Sequence, residues 1–158
     1  MAIVKLGQIE IRLSFPYIAG SKYEYDLLVV KKDAQPYRGL LYRPEDVVSV
    51  VECKAGGLFD LEKETGSIAQ TANGAINVNP DILFGYITIS GNVPKNDTNR
   101  SGNPTINHWE QTWNLLKDKV NGKTCYYAVT LHQGKRENIC DKGDDMEMKD
   151  FIRFLIGQ

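Results

Sequence analysis

Residues 47–54 read VVSVVECK and residues 23–30 read YEYDLLVV, and these two stretches decide the fold. Both are short, apolar and rich in β-branched side chains, which marks them as largely buried strands. Each also carries charge: Glu24 and Asp26 in the earlier stretch, Glu52 and Lys54 in the later one. Side chains two apart on a strand face the same way, so the alternation sets Glu24 beside Asp26 and Glu52 beside Lys54. Carboxylates and ammonium groups at the edge of an apolar sheet cost several kcal/mol, roughly, unless they are paired or bind a metal. The charges therefore call for a function or a partner.

Working outward, the alternation in QIEIRL (residues 8–13) predicts a half-exposed strand, and Pro16 and Gly20 lead into a strand over residues 23–32. Residues 33–44 are a polar excursion in which Pro44-Glu45-Asp46 can start a single helical turn. Beyond Gly56-Gly57, the polar stretch from Phe59 to about Ala75 reads as a helix despite Gly66 and Gly74. FGYITIS (residues 84–90) is a strand, and residues 91–105 are turn formers of an exposed loop. Trp109, Trp113, Leu116 and Val120, with Leu115 beside them, recur at helical spacing after a cap at Thr105 or Asn107, until Asn121-Gly122 stops the helix. TCYYAVTL (residues 124–131) is a strand, and Asp144 or Asp145 opens a last helix with Met148, Phe151, Ile152 and Leu155 on its apolar face. Strands first, then helix, strand, helix, strand and helix predict an α/β (α+β) fold with a mixed central β-sheet flanked by helices.

A chain of 158 residues, 42% hydrophobic, supports one core and hence one domain over residues 1–158. A net charge of -1 supplies no global attraction to nucleic acid, so any polyanion must be met by a local patch or a metal. No apolar run reaches membrane-spanning length, and MAIVKLGQIE lacks a basic-then-apolar leader pattern, so the expectation is a soluble, cytoplasmic protein without a membrane partner. Cys53, Cys125 and Cys140 lack paired zinc spacing; Cys53 and Cys125 read as buried thiols rather than a disulfide or a nucleophile.

An acid at the end of one strand, followed by an acid and a lysine one residue apart on the next, suits metal-assisted phosphodiester hydrolysis. Magnesium takes hard oxygen ligands and often only one or two protein carboxylates. Asp26 and Glu52 are the candidate ligands, with the carbonyl of Cys53 a further one, and Lys54 would orient a water or stabilise charge on the phosphate. On Asp26 and the Glu52-Cys53-Lys54 triplet, the chain resembles the PD-(D/E)xK nuclease superfamily, the restriction-endonuclease-like fold. LYRPEDVVSVVECK also resembles uncharacterised bacterial nuclease-like domains in which a Pro-acid-x-Val turn leads into the Glu-x-Lys strand.

The resemblance covers residues 23–54 by motif. It implies a four-stranded mixed sheet between helices, a magnesium or manganese ion, and cleavage of DNA or less often RNA, in a setting of bacterial or phage defence. It makes Asp26 and Glu52 metal ligands and Lys54 the catalytic lysine. Family members carry a helix before the acid-bearing strand, often with a further glutamate, for which Glu10 or Glu24 stands nearest here; Gln70 is the nearest match to the glutamine of a later helix.

The opposing readings are structural. Asp26, Glu52 and Lys54 can form a salt bridge between strands without chemistry, which would leave a catalytically inactive restriction-endonuclease-like fold acting as a nucleic-acid-binding or protein-interaction module. Glu24 reads as a strand-end surface acid sooner than a ligand, Gln70 as a helix-surface amide, and Trp109 and Trp113 as core rather than a base-stacking platform. Lys95, Arg100, Lys135 and Arg136, with Lys31-Lys32, are the phosphate-contact candidates against a background of ordinary solvated charge. His108 and His132 lack a partner motif for general-base work, Gly56-Gly57 lacks the context of a phosphate loop, and a homodimer is left open.

Overall fold

The computed structural model describes residues 2–6, 9–13, 16–54, 61–90, 106–130 and 148–158. Among these residues eight strands are formed: β1 (Ala2–Leu6), β2 (Ile9–Leu13), β3 (Tyr17–Ile18), β4 (Leu27–Lys31), β5 (Leu41–Tyr42), β6 (Val47–Lys54), β7 (Leu83–Ser90) and β8 (Thr124–Thr130). Three α-helices accompany them, α1 (Leu61–Ile76), α2 (Ile106–Lys119) and α3 (Met148–Leu155), and Pro44–Asp46 forms the expected single turn ahead of β6. The main sheet has six strands in the order β1-β2-β4-β6-β7-β8, while β3 and β5 make a separate parallel pair. The fold is thus mixed α/β, and its sheet is wider than the four strands the family resemblance implies. The N-terminal hairpin β1–β2 provides the extra width, pairing with β4 through β2.

Pairing is antiparallel from β1 to β6 and parallel from β6 to β8, so α1 and α2 are the crossovers that parallel neighbours require. Two cores result. On one face Leu28, Val30, Val50, Phe84, Tyr86 and Tyr126 pack with Ile68, Ala72 and Ile76 of α1 and Trp113 and Leu116 of α2. On the other face Val29, Val51, Cys125 and Tyr127 pack with Phe151 and Leu155 of α3. Gly85 lets α3 come this close: a Cβ there would lie 2.5 Å from Leu155 Cδ2.

A bulge breaks the alternation of β6. Val29 pairs with Ser49 but Val30 pairs with Val47, so β6 contributes one extra residue there. Val47 and Val50 consequently share the α1/α2 face, with Val48 on the other. Past the bulge the alternation is regular, and it assigns Glu52 and Lys54 to the α1/α2 face with Val50.

The strand expected over residues 23–32 is shorter than its residue types suggest. Glu24 forms only an isolated bridge with Tyr17, and regular pairing starts at Leu27. The segment before it is pinned by Tyr25, which is buried and whose hydroxyl lies 2.6 Å from Ser21 Oγ. The expected loop over residues 91–105 lies outside the described residues. No helix among the described residues is long and apolar enough to cross a membrane.

Candidate functional site

The site forms where β6 outruns β4. Leu27 pairs with Val51 as the last pair of the β4–β6 ladder, and Asp26 precedes it just outside β4, close enough to Glu52 for the two charges to interact. Asp26 lies just outside regular β4, and its carboxylate replaces the missing strand: Oδ2 accepts the Cys53 N–H at 2.7 Å. Among the described residues, Asp26 Oδ1 has no hydrogen-bond partner. The N–H and carbonyl of one residue face the same neighbouring strand, so the Cys53 carbonyl points toward the flank that Asp26 occupies.

Glu52 and Lys54 meet on the shared face, Lys54 Nζ donating to Glu52 Oε1 at 2.5 Å. The two ends differ in solvation, the Glu52 side chain being 13% exposed and that of Lys54 44%. Behind Glu52 the parallel register runs to Tyr86 and then Tyr126, both fully buried. Their rings stack at 5.1 Å between centroids, and Trp113 of α2 stacks on Tyr126 at 6.0 Å. The carboxylate thus stands at the end of an aromatic wall that excludes water.

Electrostatics follow from that setting. Burial raises the Glu52 pKa above the usual glutamate value, with repulsion from Asp26 adding to it, while the Lys54 hydrogen bond and charge pull the other way and do not win. Burial alone would lower the Lys54 pKa, but the more exposed ammonium is dominated by its hydrogen bond to Glu52 and by the Glu52 and Asp26 charges, so its pKa is raised. Lys54 is a firmly cationic group next to a carboxylate that gives up its proton reluctantly.

The other candidates fall elsewhere. Glu24 is exposed and its carboxylate is engaged by the Tyr17 hydroxyl, which holds the Tyr17 pKa above the ordinary tyrosine value. Glu10 pairs with Val30 on β4, toward the end of the strand away from Asp26. Gln70 is exposed on α1 and lines a groove with Ser21, Lys22, Tyr23, Asn73 and Asn77 in which neither Asp26, Glu52 nor Lys54 takes part. Lys31 and Lys32 are exposed at the far end of β4. Lys95, Arg100, Lys135 and Arg136 lie outside the described residues, as does Cys140.

Cys53 requires a correction: it is exposed rather than buried, because β6 continues past its β4 partner. Its thiol is nonetheless unreactive in character. Partial desolvation, then the Asp26 and Glu52 charges, push its pKa up to about 11. Cys125 is buried as expected.

The donor set fits a hard divalent cation. Two carboxylates lie near enough for the Asp26 charge to raise the Glu52 pKa, a backbone carbonyl faces the Asp26 flank, and all three are oxygen donors. Among the described residues, no cluster of three or more His, Cys, Asp or Glu gathers around one point. Such a cation would therefore retain water or substrate oxygens in most of its positions. Sequence reasoning found the charged groups but not the tyrosine wall, whose only signal was Tyr86 and Tyr126 at corresponding positions of two apolar strands. No family model, curated protein or solved structure matches the chain.

Proposed function

We propose that the chain is a divalent-metal-dependent phosphodiester hydrolase, a nuclease of the restriction-endonuclease-like kind that acts on DNA as an endonuclease in the cytoplasm. The observation that carries this reading is the gathering of Asp26, bonded to the Cys53 N–H, with Glu52 and the Lys54 bonded to it, at the point where β6 outruns β4. Asp26, Glu52 and the Cys53 carbonyl would hold magnesium or manganese. When bound, the ion would lower the pKa of a water and offset the charge of the scissile phosphate. Asp26 is fixed for this role by the Cys53 N–H, and Glu52 by the aromatic wall and Lys54, so neither carboxylate has to be ordered on binding. The Lys54 ammonium, 44% exposed, would orient the attacking water or stabilise charge on the phosphate oxygens.

A second reading is favoured by a specific observation: each charged group of the cluster already has an internal partner, Asp26 on Cys53 N–H and Glu52 on Lys54. A non-catalytic fold binding nucleic acid or protein, as a monomer or a homodimer, would need no more. Cleavage assays with magnesium separate the two. Glu52→Ala and Lys54→Ala should each abolish cleavage while the melting temperature stays nearly constant, and wild-type cleavage by either variant ends the nuclease reading. Saturating manganese should also stabilise the wild-type fold, by about 2.7 kcal/mol at a hundred times Kd.

A further inference from the structure

We infer that the Lys54 ammonium is the built-in competitor of the metal: a divalent cation must displace it from Glu52, and the displacement delivers the ammonium to the substrate phosphate. This deepens the metal-dependent reading of the same site and rests on it. The inference starts from the 2.5 Å contact between Lys54 Nζ and Glu52 Oε1. Glu52 is nearly buried at the end of the tyrosine row, so its carboxylate cannot turn away into solvent to serve two cations separately. Lys54 is more than three times as exposed and sits on a flexible four-carbon stem, so it is the member of the pair able to move.

A dication on Asp26 and Glu52 repels a nearby ammonium strongly, because the tyrosines behind the site keep the local dielectric low. The exposed side left to Lys54 is the one from which a phosphodiester would approach. One residue then performs two tasks in sequence. It neutralises Glu52 beforehand, offsetting the repulsion between the Glu52 and Asp26 charges, and afterwards it supplies positive charge to the phosphate.

The test uses manganese chloride alone, without nucleic acid, titrated calorimetrically into the full chain. Lys54→Met removes the charge and keeps the length of the stem, and it should bind manganese tighter than wild type by on the order of tenfold. Lys54→Gln should move affinity in the same direction. Lys54→Arg, which retains the charge, should stay close to wild type. Lys123→Met controls for net charge, since Lys123 is exposed just before β8, at the opposite end of the parallel strands, and it should leave affinity unaltered. Equal or weaker binding by both Lys54→Met and Lys54→Gln overturns the inference while the metal-dependent reading stands, as does an equal gain from Lys123→Met. Absence of manganese binding by wild type and all variants overturns both.

Discussion

Asp26 is the residue whose two roles can be separated most cleanly. Its Oδ2 accepts the Cys53 N–H at 2.7 Å, where β6 has run past the end of β4. A hydrogen bond to a charged group contributes about 1.5–3 kcal/mol in a protein interior. Here Cys53 and Lys54 are exposed, so the N–H freed by Asp26→Ala regains water and the cost should fall to about 1–1.5 kcal/mol. For a chain of 158 residues this lowers the melting temperature by about 3–5 °C. Asp26→Asn keeps a carbonyl oxygen for the same N–H and loses only the charge assistance, so its melt should drop by less than about 2 °C.

Repeating the melts with millimolar manganese divides structure from ligation. Wild type should gain stability, and both variants should lose that gain although only one loses the hydrogen bond. An Asp26→Ala melt equal to wild type would show that the cross-strand hydrogen bond does not hold this edge. A full manganese response in Asp26→Asn would remove Asp26 from the metal site.

Gly74→Ala should destabilise in spite of the better helix propensity of alanine, because the new methyl would overlap the Tyr23 ring, with Cε2 only 2.6 Å away; a net loss of about 1–2 kcal/mol in chemical denaturation is expected, and a gain would contradict the packing. Because the folded-state pKa of Glu52 lies above 4.5, the folded chain holds that proton more tightly than the unfolded one. Its stabilising contribution is therefore complete below the unfolded value and lost as pH rises through the folded one. Stability of wild type minus that of Glu52→Gln should fall with pH from 4.5 upward, and a rising difference would reverse the sign. Iodoacetamide should alkylate Cys53 on the order of tenfold more slowly than an ordinary thiol at pH 8, the deficit in thiolate outweighing its greater nucleophilicity, as peptide mass spectrometry can follow.

Much of the architecture could be read from residue order, for definite reasons. The runs VVSVVECK, FGYITIS and TCYYAVTL are apolar and β-branched or aromatic because β6, β7 and β8 are covered on both faces, by α1 and α2 on one and α3 on the other. Trp113, Leu116 and Val120 are buried at the spacing that predicted α2. What stayed hidden depends on pairing rather than on residue type. Tyr23 to Asp26 have strand-like side chains, yet the chain there bends so that Asp26 reaches Cys53 and Glu24 reaches Tyr17. The bulge opposite Val29 and Val30 shifts the faces of Val47 and Val48, which strict alternation cannot foresee. Alternation turns Cys53 away from Glu52 and Lys54 and so suggests burial, whereas exposure there is set by where β4 ends. β1 reads AIVKL, which does not alternate, and the two-residue strands β3 and β5 are too short to show a period.

The claim on which the account turns is that Asp26 and Glu52 share one cation. Anomalous diffraction from a crystal soaked in manganese measures this directly. The expected result is a single peak about 2.1 Å from an oxygen of each carboxylate, with Lys54 Nζ moved off Glu52 Oε1. A peak bound by only one of the two, or no peak there while Lys54 stays on Glu52, would contradict it.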